Sequence, residues 1–330
     1  MRRTVAGARP RTGMKRWIGN LVVLIVTLLA LEFALRQVLG GMEQAMLYDV
    51  WEPVPGSCMG LRPGAQVEYT GWFLKIPPVA QEVNSYGYRG PERPPAKPPG
   101  VFRVAALGDS YTYGMGVRVE DALPTQLERR LAGRGARTVE VLNFGVPGAS
   151  LEDSVARLRQ VAARWQPDLV LFFLYADDLE ESLCHWAEPR SLLLGLLAWK
   201  SYLARTLVIF SRFAGLWRMA VTGESGAWPA RLAEQMHALH QASQEAGARL
   251  AVVALGDPSA YRLSPRLAEL LEREDVPWLD ARPWLFGERA ARLPIIRGEM
   301  HFTPEGNRLA AERVAAWLGD AGLVPTGDAS

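Results

Sequence analysis

Five short, mainly apolar runs recur along the chain: "VFRVAAL" (101–107), "TVEVLN" (138–143), "DLVLFFL" (168–174), "RLAVVAL" (249–255) and "VPWLD" (276–280). A strand that is apolar on both faces has to be covered on both faces, as in a parallel sheet. The cover lies between the runs. "EDALPTQLERRLAG", "LEDSVARLRQVAARW", "PARLAEQMHALHQASQEAG" and "PRLAELLERE" have helical periodicity, and "TPEGNRLAAERVAAWLGD" closes the series. Strand–helix alternation of this kind predicts an α/β protein: a doubly wound, three-layer α/β/α fold around a mostly parallel five-stranded sheet. Its functional site is expected at the C-terminal edge of the strands.

The N-terminus obeys different physics. Residues 1–16 carry six basic residues and no acidic one, which leaves the remainder slightly acidic although the net charge is +2. A nucleic-acid binder needs basic charge spread over a folded face, so no nucleic-acid partner is expected. "WIGNLVVLIVTLLALEFALRQVL", residues 17–39, follows and is long enough to cross a bilayer as a helix. Glu32 and Arg36 stand four apart and can pair near its far end, where burial costs least. A cleaved signal peptide is the competing reading, but no small-x-small cleavage site follows the apolar core. Basic residues before the span predict a cytoplasmic N-terminus and an extracytoplasmic, periplasmic domain.

Residues 40–100 end in the Pro-rich "GPERPPAKPPG" and read as an extended, irregular connector. The domain proper is expected over 101–320, with a short tail at 321–330. A helical insertion at 181–228 interrupts its rhythm. The insertion is strongly apolar over 191–220 but broken by Lys200, Arg205, Arg212 and Arg218. It suits a cap, or a surface facing a membrane or a partner. Cys58 and Cys184 could join in an oxidising compartment or stay buried and unpaired. No CxxC or Cys/His cluster has metal spacing, and His237 and His240 read as a solvated helix face. No metal and no cofactor is expected.

Four segments fall where a site should form: Gly108-Asp109-Ser110, "NFGVPGAS" (143–150), "YADD" (175–178) and "GEMHFTPEGN" (298–307). Ser110 can be a nucleophile or the first residue of an ordinary strand-to-helix turn. As a nucleophile it needs a base to take its proton. His185 sits in the insertion, and His237 and His240 lie inside a helix. His301 precedes the last helix, with Thr303 as N-cap, Pro304 at the first helical position and Glu305 near the positive end of the dipole. Acyl transfer also needs donors for an oxyanion. The amides of Ser110 and Gly148 are candidates, although "GVPG" taken by itself reads first as a simple turn. Thr112 departs from GxSxG, and neither a Gly-Lys-Ser/Thr loop nor a complete GxGxxG is present.

In this order the four segments resemble the SGNH hydrolases, also called GDSL esterases and lipases, over about residues 84–318. "VNSYGYRGPE" (83–92) and "VEDALPTQLERRL" resemble the membrane-anchored bacterial branch of that family. The resemblance implies an SGNH or flavodoxin-like fold, Ser110 as nucleophile, His301 as base, and Ser110 and Gly148 as oxyanion donors. It implies a structural role for Asp178 and, for Asp109, the bracing of the nucleophile turn. Two positions depart from the family pattern. Asp177 stands where the family has an asparagine donor; an ionised carboxylate would repel the oxyanion, and only a protonated one could donate. Gly298 stands at the family's aspartate, three before His301, which leaves Glu299 as the candidate acid.

The expected function is a membrane-anchored serine esterase or acyl hydrolase working through an acyl-serine intermediate. Its substrate would be an ester, or an acylated glycan or lipid of the cell envelope, with O-acyl transfer where a sugar hydroxyl replaces water. The reading from another class is a catalytically impaired SGNH-fold component that binds or assembles within an envelope pathway, motivated by Asp177 and Gly298.

Overall fold

The computed structural model describes residues 12–39, 50–54, 57–70, 76–133, 137–175, 201, 203, 228–255, 265–281 and 301–325. Its centre is a five-stranded sheet of β5 (Val101–Gly108), β6 (Thr138–Asn143), β7 (Leu169–Leu174), β8 (Arg249–Ala254) and β9 (Trp278–Asp280). The strands lie in the order β6-β5-β7-β8-β9, and every neighbouring pair is parallel. From β5 the chain first crosses to one side and then returns to the other. The strand order therefore reverses at β5, and in open sheets of this kind ligands bind beyond the C-terminal ends of the strands at such a point.

Alternation along β5 shows why both faces must be covered. Val104 and Ala106 point into one core with Leu171 and Phe173 of β7, beneath α3 (Leu123–Leu131) and α7 (Pro304–Asp320). Ala105 and Leu107 point into the other with Val170 and Phe172, beneath α4 (Leu151–Trp165), α5 (Trp228–Glu245) and α6 (Pro265–Arg273). Ser150 starts α4 with a reciprocal cap: its hydroxyl accepts from the Asp153 amide, and the Asp153 carboxylate accepts from the Ser150 amide.

The segment read as a connector is more ordered than expected. Strands β1 (Trp51–Val54) and β2 (Ser57–Leu61) form one antiparallel hairpin, and β3 (Gln66–Tyr69) and β4 (Val79–Glu82) form another. Leu61, Tyr69 and Val83 from this region share a third core with Tyr113, Met115, Val146 and Ala149. Strands of four or five residues give too little alternation to be seen in sequence. The Pro-rich part is strapped to the N-terminal edge of the sheet. Arg93 pairs with Glu128 and Glu140 (2.7 and 3.0 Å), Lys97 with Asp168 (2.8 Å), and the buried Arg103 donates to the carbonyls of Pro94 and Pro95. Two further bonds close the outer side of β6. The Arg89 amide donates to the Asn143 carbonyl (3.2 Å), and the Glu128 carboxylate accepts from the Val141 amide (2.7 Å).

Helix α1 (Thr12–Leu39) begins inside the basic segment and carries a stretch, Arg16–Gln37, long and apolar enough to cross a membrane. Its large apolar side chains, from Trp17 to Phe33, are exposed. An N-terminal helix of this kind serves as a membrane anchor or a signal sequence. The Glu32–Arg36 pair forms at 3.1 Å, and Glu32 also accepts from the Ser201 hydroxyl and the Leu203 amide at 2.9 Å each. Cys184 and the rest of the insertion, apart from Ser201, Leu203 and the backbone of Trp228, lie outside the described residues, as does the side chain of Cys58.

Candidate active site

The sheet delivers a serine to its C-terminal edge by an abrupt change of backbone. Gly108 ends β5 at φ +145°, and a Cβ there would stand 2.3 Å from Thr112 Oγ1 and 2.7 Å from the Phe173 carbonyl. Only glycine fits such a turn against its neighbour strand. Asp109, 3% exposed, then caps a single helical turn, α2 (Ser110–Tyr113), by accepting from the Tyr111 amide at 2.9 Å. Gly114 closes that turn in the left-handed region at φ +83°. Ser110 is the first residue of the turn and remains partly exposed.

His301 arrives from the opposite end of the sequence. Thr303 caps α7 by accepting from the Gly306 amide (3.3 Å), and Pro304 occupies its first turn. The chain just before that cap crosses the end of β5. His301 Nε2 lies 2.9 Å from Ser110 Oγ although 191 positions separate them in sequence. The imidazole is nearly buried, at 9% exposure. Its ring stands 5.1 Å from that of Tyr111, which also stacks on Tyr175 (4.0 Å) and meets Phe302 edge-on (5.0 Å).

Gly148 lies in the loop after β6, exposed and at φ +76°. The loop is held against the serine turn. Val146 donates its amide to the Gly108 carbonyl (3.0 Å), and Asn143 accepts from the Gly145 amide (3.1 Å) while donating to the Tyr113 carbonyl (3.2 Å). Gly145 is so close to α2 that a Cβ would stand 2.4 Å from the Tyr113 amide nitrogen.

The structure thus brings Ser110 and His301 into hydrogen-bond reach, with Asp109 beneath them and the Gly148 loop beside them. Asp177, Asp178, Gly298, Glu299 and His185 lie outside the described residues. His237 and His240 are remote from this edge: each binds one oxygen of Glu274, at 2.8 and 3.1 Å, on the outer helices. Burial pushes the Glu274 carboxyl up, but the hydrogen bonds from the two imidazoles outweigh it and hold its pKa below the usual value. No group of His, Cys, Asp and Glu suited to a metal ion occurs among the described residues. Sequence reasoning missed the aromatic packing around His301, and the only signal available was position: Tyr111 follows the serine and Tyr175 follows the end of β7. It also missed Asn143, the last residue of β6.

A serine hydroxyl against an imidazole, at the point where a doubly wound sheet reverses its order, defines a class of α/β domain equipped for nucleophile-and-base chemistry. Residues 106–309 match the family described as GDSL-like lipase/acylhydrolase, which is more than half of the chain. The chain belongs to that family. Among solved structures it is similar to TesA, with TM-score 0.46, 18% identity, and coverage of 66% of this chain and 98% of that one. It is similar also to the psychrotrophic esterase EstA from Pseudoalteromonas sp. (TM-score 0.46, 14% identity, 67% and 99% coverage). A lipase/acylhydrolase from Enterococcus faecalis gives TM-score 0.44, 17% identity, and 67% and 96% coverage. No curated protein sequence matches the chain significantly.

Proposed function

We propose that the protein is a membrane-anchored serine ester hydrolase in which Ser110 is the nucleophile and His301 the general base. The observation that carries this reading is the 2.9 Å separation of Ser110 Oγ and His301 Nε2 at the switch point of the sheet. With the imidazole neutral and its proton on Nδ1, the Ser110 hydroxyl donates to Nε2 and gives up its proton as Oγ attacks the acyl carbon. The oxyanion faces the amides of Ser110 and Gly148. Collapse of the tetrahedral species breaks the ester C–O bond, and the leaving alkoxide takes the proton from His301. Water, deprotonated by the same imidazole, then releases the acid and restores Ser110. A sugar hydroxyl in place of that water makes the second half-reaction an O-acyl transfer. Glu299 is the proposed orienting acid, and Asp177 weakens the oxyanion site in its ionised form.

Residues 17–39 anchor the chain with its N-terminus in the cytoplasm and its domain outside, which makes acylated glycans or lipids of the cell envelope the proposed substrates. The exposed apolar side chains of α1 and the basic residues before it support this orientation. The apolar stretch 191–220 is proposed to face the membrane or a partner.

The test is hydrolysis of p-nitrophenyl acetate by the full chain in detergent, beside Ser110→Ala, His301→Ala and Asp177→Asn. Ser110→Ala and His301→Ala are expected to lose at least about 10³-fold in kcat, and Asp177→Asn to gain up to about 10²-fold. Equal rates for wild type and Ser110→Ala, across this ester and a panel of acetylated glycans, would refute the reading in favour of a binding component.

A further inference from the structure

Arg89 is a cation where a cation is costly. It comes from the "SYGYRG" stretch well before the catalytic strand, and it is 1% exposed. Taking a guanidinium out of water is expensive unless its donors are met. Among the described residues its guanidinium bonds run to main-chain carbonyls: Nη1 donates to Tyr113 (2.8 Å) and Gly114 (2.6 Å), and Nη2 to Val117 (2.6 Å). The group also lies over the Tyr113 ring, 4.6 Å from its centroid. Burial pulls its pKa down, opposed by Tyr113, Glu82 and Glu120.

The carbonyls that it selects lead directly to the nucleophile. The peptide units of Tyr113–Gly114 and Gly114–Met115 present their oxygens to Nη1. Their amides, Gly114 and Met115, both donate to the Ser110 carbonyl at 3.0 Å. One cation thus polarises two peptide dipoles that converge on the serine's own backbone. The main chain of Arg89 reaches the other half of the site. Its amide donates to Asn143, whose side chain holds the Gly145 amide on one side and the Tyr113 carbonyl on the other. A Cβ at Gly114 would stand 3.1 Å from Nη1, so the turn is closed tightly around the guanidinium.

We propose that Arg89 is a positioning residue of the reaction: it holds the serine turn and the glycine loop at the mutual distance that places the Ser110 and Gly148 amides around one oxyanion. The inference rests on the serine-hydrolase reading above. A lysine keeps the charge but cannot fork to three carbonyls. A methionine fills the volume and abandons the bonds.

The experiment compares Arg89→Lys and Arg89→Met with wild type in the full chain in detergent. Reactive serines are first counted with a fluorophosphonate probe, and kcat and KM for p-nitrophenyl acetate are then expressed per reactive site. Expected is a loss of about 10²-fold in kcat for both variants, with KM within about threefold and the pH dependence of kcat unchanged because His301 is untouched. Should Arg89→Met fail to fold, Arg89→Lys carries the same reading. Wild-type kcat per reactive site in the folded variants, with only a lowered Tm, would overturn the proposal and leave Arg89 a core residue. Wild type no faster than Ser110→Ala would instead overturn the hydrolase reading, and the proposal with it.

Discussion

Replacing Gly145 by alanine puts one methyl group between the glycine loop and the serine turn. The added Cβ would stand 2.4 Å from the Tyr113 nitrogen and 2.8 Å from both the carbonyl carbon and Cβ of Thr112. Three of those atoms' positions are set by the backbone of α2, so no rotamer change relieves the clash. Ordinary contact begins at 3.4 Å, and the loop must retreat by about 1 Å. That retreat pulls on the Gly145 bond to Asn143 (3.1 Å) and the Val146 bond to Gly108 (3.0 Å), and it carries Gly148 away from Ser110. Overpacking of this kind costs about 1–3 kcal/mol. At roughly 2–4 °C of Tm for each kcal/mol, the melting temperature should fall by about 2–12 °C. A displacement of about 1 Å at a reacting centre costs about 10² in rate. The assay is a thermal melt together with kcat on p-nitrophenyl acetate, counted per fluorophosphonate-reactive serine. Gly322→Ala is the control: its φ of +60° strains an alanine, but nothing lies within 4 Å of the new Cβ. It should lower Tm by a few degrees at about 1 kcal/mol and leave kcat alone. Wild-type kcat in Gly145→Ala would refute the coupling between the loop and the serine turn, and wild-type Tm would refute the close packing as well.

Ser150→Ala removes one side of the reciprocal cap on α4 and should cost about 1 kcal/mol, read as a Tm shift with kcat unchanged; no shift would mean that Asp153 alone satisfies the helix start. Glu274 has a lowered folded-state pKa, so its contribution is present above the ordinary value of 4.5 and is lost as pH falls through the lower folded value. Melts of wild type and Glu274→Gln should therefore differ at neutral pH by no more than about 1 kcal/mol and converge in acid. A constant offset down to the lowest pH would refute the assignment of the pH-dependent contribution to Glu274.

The sheet was legible because its strands obey one pattern. Val104 to Leu107 of β5 and Leu169 to Leu174 of β7 are apolar without a break, and only a doubly covered parallel strand asks for that. The helices showed for the complementary reason, a 3.6-residue rhythm such as that of "LEDSVARLRQVAARW", whose ends agree with α4. Position brought Ser110 and His301 to the same edge of the sheet, since each follows or precedes an element that must end there, and the order of the four motifs paired them. The hairpins at 51–61 and 66–82 were hidden by the shortness of their strands. Arg89 was hidden more deeply. An arginine in "GYRGPE" reads as solvated because the carbonyls that accept from it belong to residues 113–117, and no local pattern announces that a distant turn has left three acceptors facing inward. Buried polar partners are chosen by the tertiary fold, and periodicity has no access to them.

The strap along β6 has a consequence outside the chemistry. An outer strand offers a row of free amides and carbonyls to any passing chain, and proteins that leave it bare invite aggregation by strand addition. Here the outward amide of Val141 is taken by Glu128 and the outward carbonyl of Asn143 by Arg89, while Arg93 clamps Glu128 in place. The opposite border is β9, three residues long and too short to template a partner. Bonds from outside the sheet thus take up part of one border, and shortness limits the other.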